Sequence, residues 1–250
     1  MFKQRREIDH VHISEIVRHD YYISSIYKEI YSNFSMIIEE KRIKTPKILE
    51  LGGGDCSFAQ LFWDDLIITD AGDSLDKSNI QSGVNGEDLP FTDSQFNYVI
   101  AKDTLHHFKE PYKALAEIDR VLKPGGSFIV SEPYWSPLGR FIYKFFHPEP
   151  WKTNVDTVSR SSNDLWDSNQ ALLLLLNGKF SNIFSEKFPG YKLKIYAPTY
   201  GISYLFSGGV HKRNKISSNF LWKIHNLEKK SKLIMKTTGL NILAEFKKIS

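Results

Sequence analysis

Only one cysteine, Cys56, occurs in the 250 residues, so no internal disulfide can form. A chain of this length buries a sizeable core without such staples, and a single thiol fits a reducing, cytoplasmic setting. Long apolar runs are also missing. The longest, Ala171 to Leu176, is far short of the roughly 18–20 residues that a membrane helix needs. The basic start, Met1 to Glu7, is followed by no apolar stretch, so no secretory signal is expected. There is no G-x-S-x-G nucleophile elbow and no Walker-type phosphate loop. His10 and His12 stand two apart, and His106 and His107 are adjacent. Neither is a ligand spacing, and no metal is expected.

What remains is ordinary globular material, 41% hydrophobic and 25% charged, enough for one large α/β domain or two small ones. The net charge of +4 conceals an asymmetry. Between Glu50 and Glu110 stand twelve acids and three lysines; between His211 and Lys236 stand eight Lys/Arg and one acid, Glu228. The acidic first half disfavours a nucleic-acid partner there. The basic segment suits an anionic acceptor, RNA or peripheral contact with a phospholipid surface, and a solvated basic face is the plainer reading.

Residues 1–44 read as helix, with Ile23, Ile26, Tyr27, Ile30, Tyr31, Phe34, Ile37 and Ile38 on one stripe. Short apolar runs follow at 47–51, 66–69, 80–84 (weak), 96–101 and 127–131. A helix is expected from Pro111 to Leu122, opened by its proline and stopped by Lys123-Pro124-Gly125-Gly126. Such alternation implies a parallel sheet covered on both faces. Two later strands are expected at 191–199 and 240–246, with insertions at 134–190 and 201–237. The pattern suggests an N-terminal helical cover (1–46), a strand-and-helix core (47–133) and a final part with insertions and the last two strands (134–250).

Gly52-Gly53-Gly54 follows the first strand and precedes a short helix expected from Ser57 to Trp63. Glycines there let a ligand approach the backbone, and amides at a helix start favour a carboxylate or phosphate. Asp70 ends the second strand, eighteen positions beyond Gly52 (70 − 52), where an acid accepts ribose hydroxyls in doubly wound folds. Only nineteen positions (89 − 70) separate Asp70 from Leu89, so the second crossover should be mostly loop.

The ordered segments LELGGGD, ITD, GEDLPFTDSQFNYVIAKDTLHHF and EIDRVLKPGGSFIVSEP, spanning Lys47 to Pro133, resemble the class I S-adenosylmethionine-dependent methyltransferases of the small-molecule branch. That resemblance implies a Rossmann-like, doubly wound, mostly parallel seven-stranded sheet with an antiparallel last strand, a helical N-terminal segment and helical insertions. It implies S-adenosylmethionine as cofactor. Glu50, Gly52, Gly53 and Gly54 would line its methionine part, with Glu50 taking the α-amino group. Asp70 would hold the ribose, Ala71 would pack on the adenine, and Asn85, Gly86 and Glu87 would meet the adenine edge. Ala101 and Lys102 would face the methionine end. Cys56 stands where the family often has a third glycine, and Asn85 where it commonly has an acid, whose bond the Asn oxygen can still accept.

The acceptor would be a small molecule, a sugar or a lipid-linked compound, methylated on oxygen or nitrogen, by a monomer or weak dimer. A glycan ranks first because TYGISYLFSGGVHKR is similar to methyltransferases found with bacterial surface-polysaccharide genes. His106, after the fourth strand, and Glu132, ending the fifth, are the candidate catalytic groups. Tyr134, His147 and Glu149 are further candidates, and the aromatics of 134–151 suit stacking on a ring or plain packing. Two alternatives stand. A nicotinamide-dependent oxidoreductase needs glycine where Ser57 stands. A degenerate, non-catalytic member would follow from Cys56, Asn85 and the short crossover.

Overall fold

The computed structural model describes residues 10–74, 78–162, 167–210 and 216–249. The first residues of the basic C-terminal stretch, 211–215, and the N-terminal residues 1–9 lie outside them. The elements are, in order, α1 (His10–His19), α2 (Tyr21–Glu39), β1 (Ile48–Leu51), β2 (Leu66–Thr69), β3 (Ile80–Gln81), β4 (Phe96–Lys102), α3 (Pro111–Val121), β5 (Leu122–Pro133), α4 (Pro137–Phe145), α5 (Leu172–Asn177), α6 (Ser181–Lys187), β6 (Tyr191–Pro198), α7 (Ile202–Ser207), α8 (Ser218–Lys230), α9 (Lys232–Thr238) and β7 (Asn241–Lys248).

The seven strands form one sheet in the order β3-β2-β1-β4-β5-β7-β6. Strands β1 to β5 pair in parallel, and β7 runs antiparallel between β5 and β6. The strand order reverses beside β1 and β4, and a ligand crevice opens at the carboxyl ends of such a pair. Successive strand residues face opposite sides. Leu49, Val99, Phe128 and Val130 pack toward α3, α5 and α6. Ile48, Tyr98, Ile100 and Ile129 pack toward α1, α2 and α8.

The described part of the N-terminal segment is two helices rather than one, and the apolar stripe lies in the second. The Asp20 carboxylate accepts from the Ile23 amide at 3.0 Å and caps α2. The break leaves the apolar phase unchanged, so hydrophobic spacing alone could not reveal it. Helix α2 buries Ile23, Ile26, Ile30, Ile37 and Ile38 among its residues, each worth about 1.5–3 kcal/mol against the exposed state. The glycine-rich turn is followed by two 3-10 turns, Gly54–Cys56 and Ala59–Leu61, in place of the continuous helix expected from Ser57 to Trp63. The weak third strand shortens to two residues, and the described residues between β2 and β4 contain no helix.

Side chains hold the loops that flank the sheet. The Glu117 carboxylate accepts from the Leu89 amide at 2.8 Å. Arg120 donates to the carbonyls of Leu89 (2.9 Å) and Phe91 (2.7 Å) and to Asp93 (2.9 Å). The acid and base of α3 therefore tie down residues 89–93. On the other face, His225 of α8 lies 3.0 Å from Glu29 of α2 and 3.5 Å from Glu228. Glu228 accepts from the Gly201 and Ser203 amides, each at 3.2 Å, and so anchors the start of α7.

Candidate functional site

The turn after β1 depends on glycine at two positions. Gly52 has φ +67° and Gly54 φ +47°, the left-handed region that side chains disfavour. A Cβ on Gly54 would lie 2.6 Å from Asp70 Oδ2, and one on Gly53 would lie 2.6 Å from the Glu50 carboxyl carbon. The chain thus folds tightly over two acids. Asp70 Oδ1 accepts from the Gly72 amide at 2.8 Å, which orients the carboxylate at the end of β2. Ala71 beside it is exposed.

Glu50 lies beneath the turn with no exposed surface. One oxygen accepts from the Tyr31 hydroxyl and the other from the Ser57 hydroxyl at 2.5 Å. Burial pushes its carboxyl up to about 7, against the lowering effect of those two hydroxyls and of Lys102. A cavity of about 110 Å³ opens above it, lined by Tyr27, Tyr31, Gly52, Gly53, Cys56, Lys102 and Asp103. Burial disfavours charge on Lys102, but Asp103 overcomes this and holds it protonated. Its ammonium pairs with Asp103 and sits 3.9 Å from the centre of the Tyr27 ring. Burial pushes the Cys56 thiol up to about 11.

Two of the expected adenine contacts point elsewhere. Asn85 Oδ1 accepts from the Glu87 amide at 2.9 Å, closing a local turn. Glu87 Oε1 accepts from the amides of Lys109 (2.6 Å) and Glu110 (2.9 Å), at the start of α3. Those amides are the ordinary place for a helix-start acid. The Glu87 side chain is therefore held at the start of α3. Gly86 packs against the Phe108 ring.

A larger cavity of about 360 Å³ lies on the other side of Asp103, lined among others by Tyr27, His106, His107, Tyr143, Phe146, His147, Glu149, Gln170, Tyr200 and Tyr204. Burial holds the Tyr27, Tyr143, Tyr200 and Tyr204 phenols well above their ordinary range, so they line it as neutral groups. Its walls come from α2, the β4–α3 turn, α4 and α7. The two cavities share Tyr27 and Asp103. Asp103 holds φ +50°, a conformation that costs a non-glycine residue about 1–3 kcal/mol. Sequence reading passed over Asp103. Its signal was its place directly after Lys102 at the end of the fourth strand.

His106 and Glu132 come together, but not as two groups open to an acceptor. Glu132 is fully buried. Its Oε1 accepts from the Thr104 (3.1 Å) and Leu105 (2.8 Å) amides, and its Oε2 lies 2.5 Å from His106 Nδ1. It is a positioning residue that fixes the turn and the imidazole. His106 Nε2 faces Gln170 at 3.0 Å and Glu149 at 3.3 Å. Burial opposes charge on His106, but Glu132 and Glu149 prevail and push it up to about 10. Burial alone would raise Glu149, but His106 and His107 hold it well below the usual carboxylate range. Ala101 is buried in β4. Tyr134 packs against Trp135 and does not line the cavity. His147 and Glu149, which no sequence pattern could position, are on its wall.

Residues 49–130 match the family model described as "Methyltransferase domain". Over 108 residues the chain is 36% identical to "Uncharacterized protein YafE" of Escherichia coli, across 41% of this chain and 48% of that protein. Over 125 residues it is 34% identical to the "Ubiquinone/menaquinone biosynthesis C-methyltransferase UbiE" of Pasteurella multocida, across 41% and 46% respectively. The chain thus spans about half the length of these relatives. Among solved structures, a SAM-dependent methyltransferase from Archaeoglobus fulgidus has the same fold, with a TM-score of 0.52 at 13% identity over 89% of this chain and 94% of that one.

Proposed function

We propose that this chain, whose residues 49–130 match the methyltransferase-domain model, is a class I S-adenosylmethionine-dependent methyltransferase that methylates a hydroxyl of a small-molecule or glycan-type acceptor. The observation that carries this reading is the meeting of two cavities at Tyr27 and Asp103. The smaller one, against the glycine turn, suits the amino-acid end of the cofactor. The larger one suits an acceptor.

S-adenosylmethionine, when bound, supplies a methyl group on a sulfonium centre. The protein's work is then to align the acceptor, exclude water and receive a proton. Glu50, behind Tyr31, favours the cofactor's ammonium, and Lys102 its carboxylate. Asp70, beside Gly54, accepts the ribose hydroxyls. Asp103, at the junction, orients the acceptor hydroxyl and accepts its proton, with His106 and His107 behind it. Neutral tyrosines offer hydroxyls to a polyhydroxylated ring. Phe141, Phe145 and Phe146, exposed by 50%, 59% and 64%, form an apolar rim suited to a lipid-linked acceptor.

A nicotinamide cofactor is disfavoured because Ser57 stands where its fingerprint needs glycine, and because the Ser57 hydroxyl is bound to Glu50. The names of the quinone-pathway relatives favour a second reading, transfer to a ring carbon. Removal of a hydroxyl proton activates either kind of acceptor.

The test uses methyl-labelled S-adenosylmethionine with pools of saccharides, lipid-linked saccharides and hydroxylated aromatics. Label should enter one pool, and Asp103→Asn should lower kcat by roughly 10²–10⁴-fold. Labelling of a ring carbon would select the second reading. Cofactor binding without labelling of any pool would favour a non-catalytic protein, and binding of NAD instead of S-adenosylmethionine would end the proposal.

A further inference from the structure

The cluster at the inner end of the larger cavity has a use beyond proton transfer. His106 and His107 lie on the short 3-10 turn Leu105–His107, and Glu149 comes from the segment between α4 and α5. The insertion is pinned there by backbone bonds, Asn169 amide to His106 carbonyl at 3.2 Å and Gln170 amide to Pro150 carbonyl at 3.1 Å. One ligating atom from each of His106, His107 and Glu149 lies within 4.8 Å of the other two. His106 Nε2 is 3.3 Å from Glu149 Oε2, and His107 Nε2 is 3.7 Å from Glu149 Oε1. Donors around one ion at bonds of about 2.0–2.2 Å stand roughly 3–3.5 Å apart, so the His106–Glu149 separation already falls in that range and the His107–Glu149 separation lies just outside it.

The surroundings of these donors are those of a metal centre. Glu132 Oε2 lies 2.5 Å from His106 Nδ1, which leaves Nε2 as the imidazole nitrogen that faces Glu149. A carboxylate behind a ligating imidazole is the usual outer partner of a metal-bound histidine. Glu149 is itself held by the Ser168 hydroxyl at 2.6 Å. The Gln170 side-chain amide donates to Glu149 and lies 3.0 Å from His106 Nε2, closing the other side of the cluster.

We propose that His106, His107 and Glu149 bind a divalent first-row transition-metal ion, with Glu132 as the outer partner of His106. Two imidazoles and one carboxylate are the borderline donor set that suits zinc, iron, cobalt or manganese. The remaining positions of the ion open into the cavity. For an acceptor held there, on the methyl-transfer reading, the ion would polarise the hydroxyl and lower its pKa. The site itself stands independently of that reading, because it is measured by metal binding alone.

The experiment uses the full chain, dialysed against chelator, with Zn²⁺ titrated by calorimetry and by competition with a chromophoric chelator. Co²⁺ then reports coordination by visible absorption. One equivalent should bind, with a Co²⁺ spectrum of four- or five-coordinate nitrogen and oxygen donors. His107→Ala, at a partly exposed position, should weaken binding by about 100-fold or more, as should Glu149→Gln. Glu132→Gln should weaken it by about 10–100-fold. His19→Ala, on exposed α1 surface, should change nothing. Thermal unfolding without metal checks that each variant is folded. Equal Zn²⁺ affinity in the unmutated protein and the folded His107→Ala variant would overturn the site, as would a Co²⁺ spectrum of the hydrated ion.

Discussion

Glu50 should be a measurable burden on the empty protein. It is fully buried, and burial lifts its carboxyl from the ordinary value to about 7. In the unfolded chain the same group loses its proton near 4.5. Between those values the folded state binds more protons than the unfolded one, so stability falls as pH rises. A tenfold difference in proton affinity between the two states is worth about 1.4 kcal/mol, and from pH 5 to pH 8 the loss comes to roughly 2–3 kcal/mol. Glu50→Gln keeps the shape and can still bond to the Tyr31 and Ser57 hydroxyls, but it has no proton to lose. The variant should therefore gain on the unmutated protein by that amount over the same interval. In a chain of this size the gain raises Tm by roughly 5–10 °C. Cofactor affinity should move the opposite way. If Glu50 faces the cofactor's ammonium, binding requires the ionised carboxylate. Affinity should then drop about tenfold for each pH unit below 7, and the Gln variant should bind weakly with no such slope. Melting curves of both proteins from pH 5 to 8, with and without S-adenosylmethionine, measure both effects. A stability gap that stays constant with pH would refute the assignment of a raised carboxyl.

Asp70→Ala should weaken S-adenosylmethionine binding by roughly 10–100-fold, the value of one or two hydrogen bonds to a charged acceptor, as read by calorimetry. Arg120→Met removes the donors to Leu89, Phe91 and Asp93. It should cost about 1–3 kcal/mol in denaturant unfolding and loosen the 85–93 segment to proteolysis. His225→Ala breaks a buried contact with Glu29 and Glu228, which should cost about 3–5 kcal/mol. The visible consequence should be a raised acceptor KM with an unchanged cofactor Kd, because Glu228 anchors α7 and α7 supplies Tyr204.

The central strands were legible because β1 and β4 are buried on both faces and so appear as unbroken apolar runs. Leu66–Thr69 falls where the pattern put it, and Ile48–Leu51 and Phe96–Lys102 lie within a residue. β5 extends further than its apolar run, because Gly125 at φ +76° turns the chain and lets Leu122 pair with Phe96. Sites made within one loop were partly legible, as at Gly52 to Gly54. Glu132 and Glu87 both turn toward backbone amides. An acid at the end of a strand or in a loop can face a ligand or turn back to neighbouring amides, and sequence does not say which. The grouping of His106 with Glu149 and Gln170 was hidden because the partners lie 43 (149 − 106) and 64 positions away, inside an insertion with no periodic pattern.

Helix α2 has a double duty that bears on how such a protein can change. Its isoleucines close one face of the sheet, while Tyr27 on the same helix walls both cavities. Many enzymes alter selectivity by exchanging loops that contribute little to folding. Here a substitution that remodels the mouth from this side also disturbs packing that holds the sheet covered. New acceptors are more cheaply accommodated from the opposite wall, where α4 and α7 contribute Ile142, Tyr143, Tyr204 and Leu205. Diversity among close relatives should therefore concentrate in those two segments, with the Tyr27 turn of α2 held nearly constant.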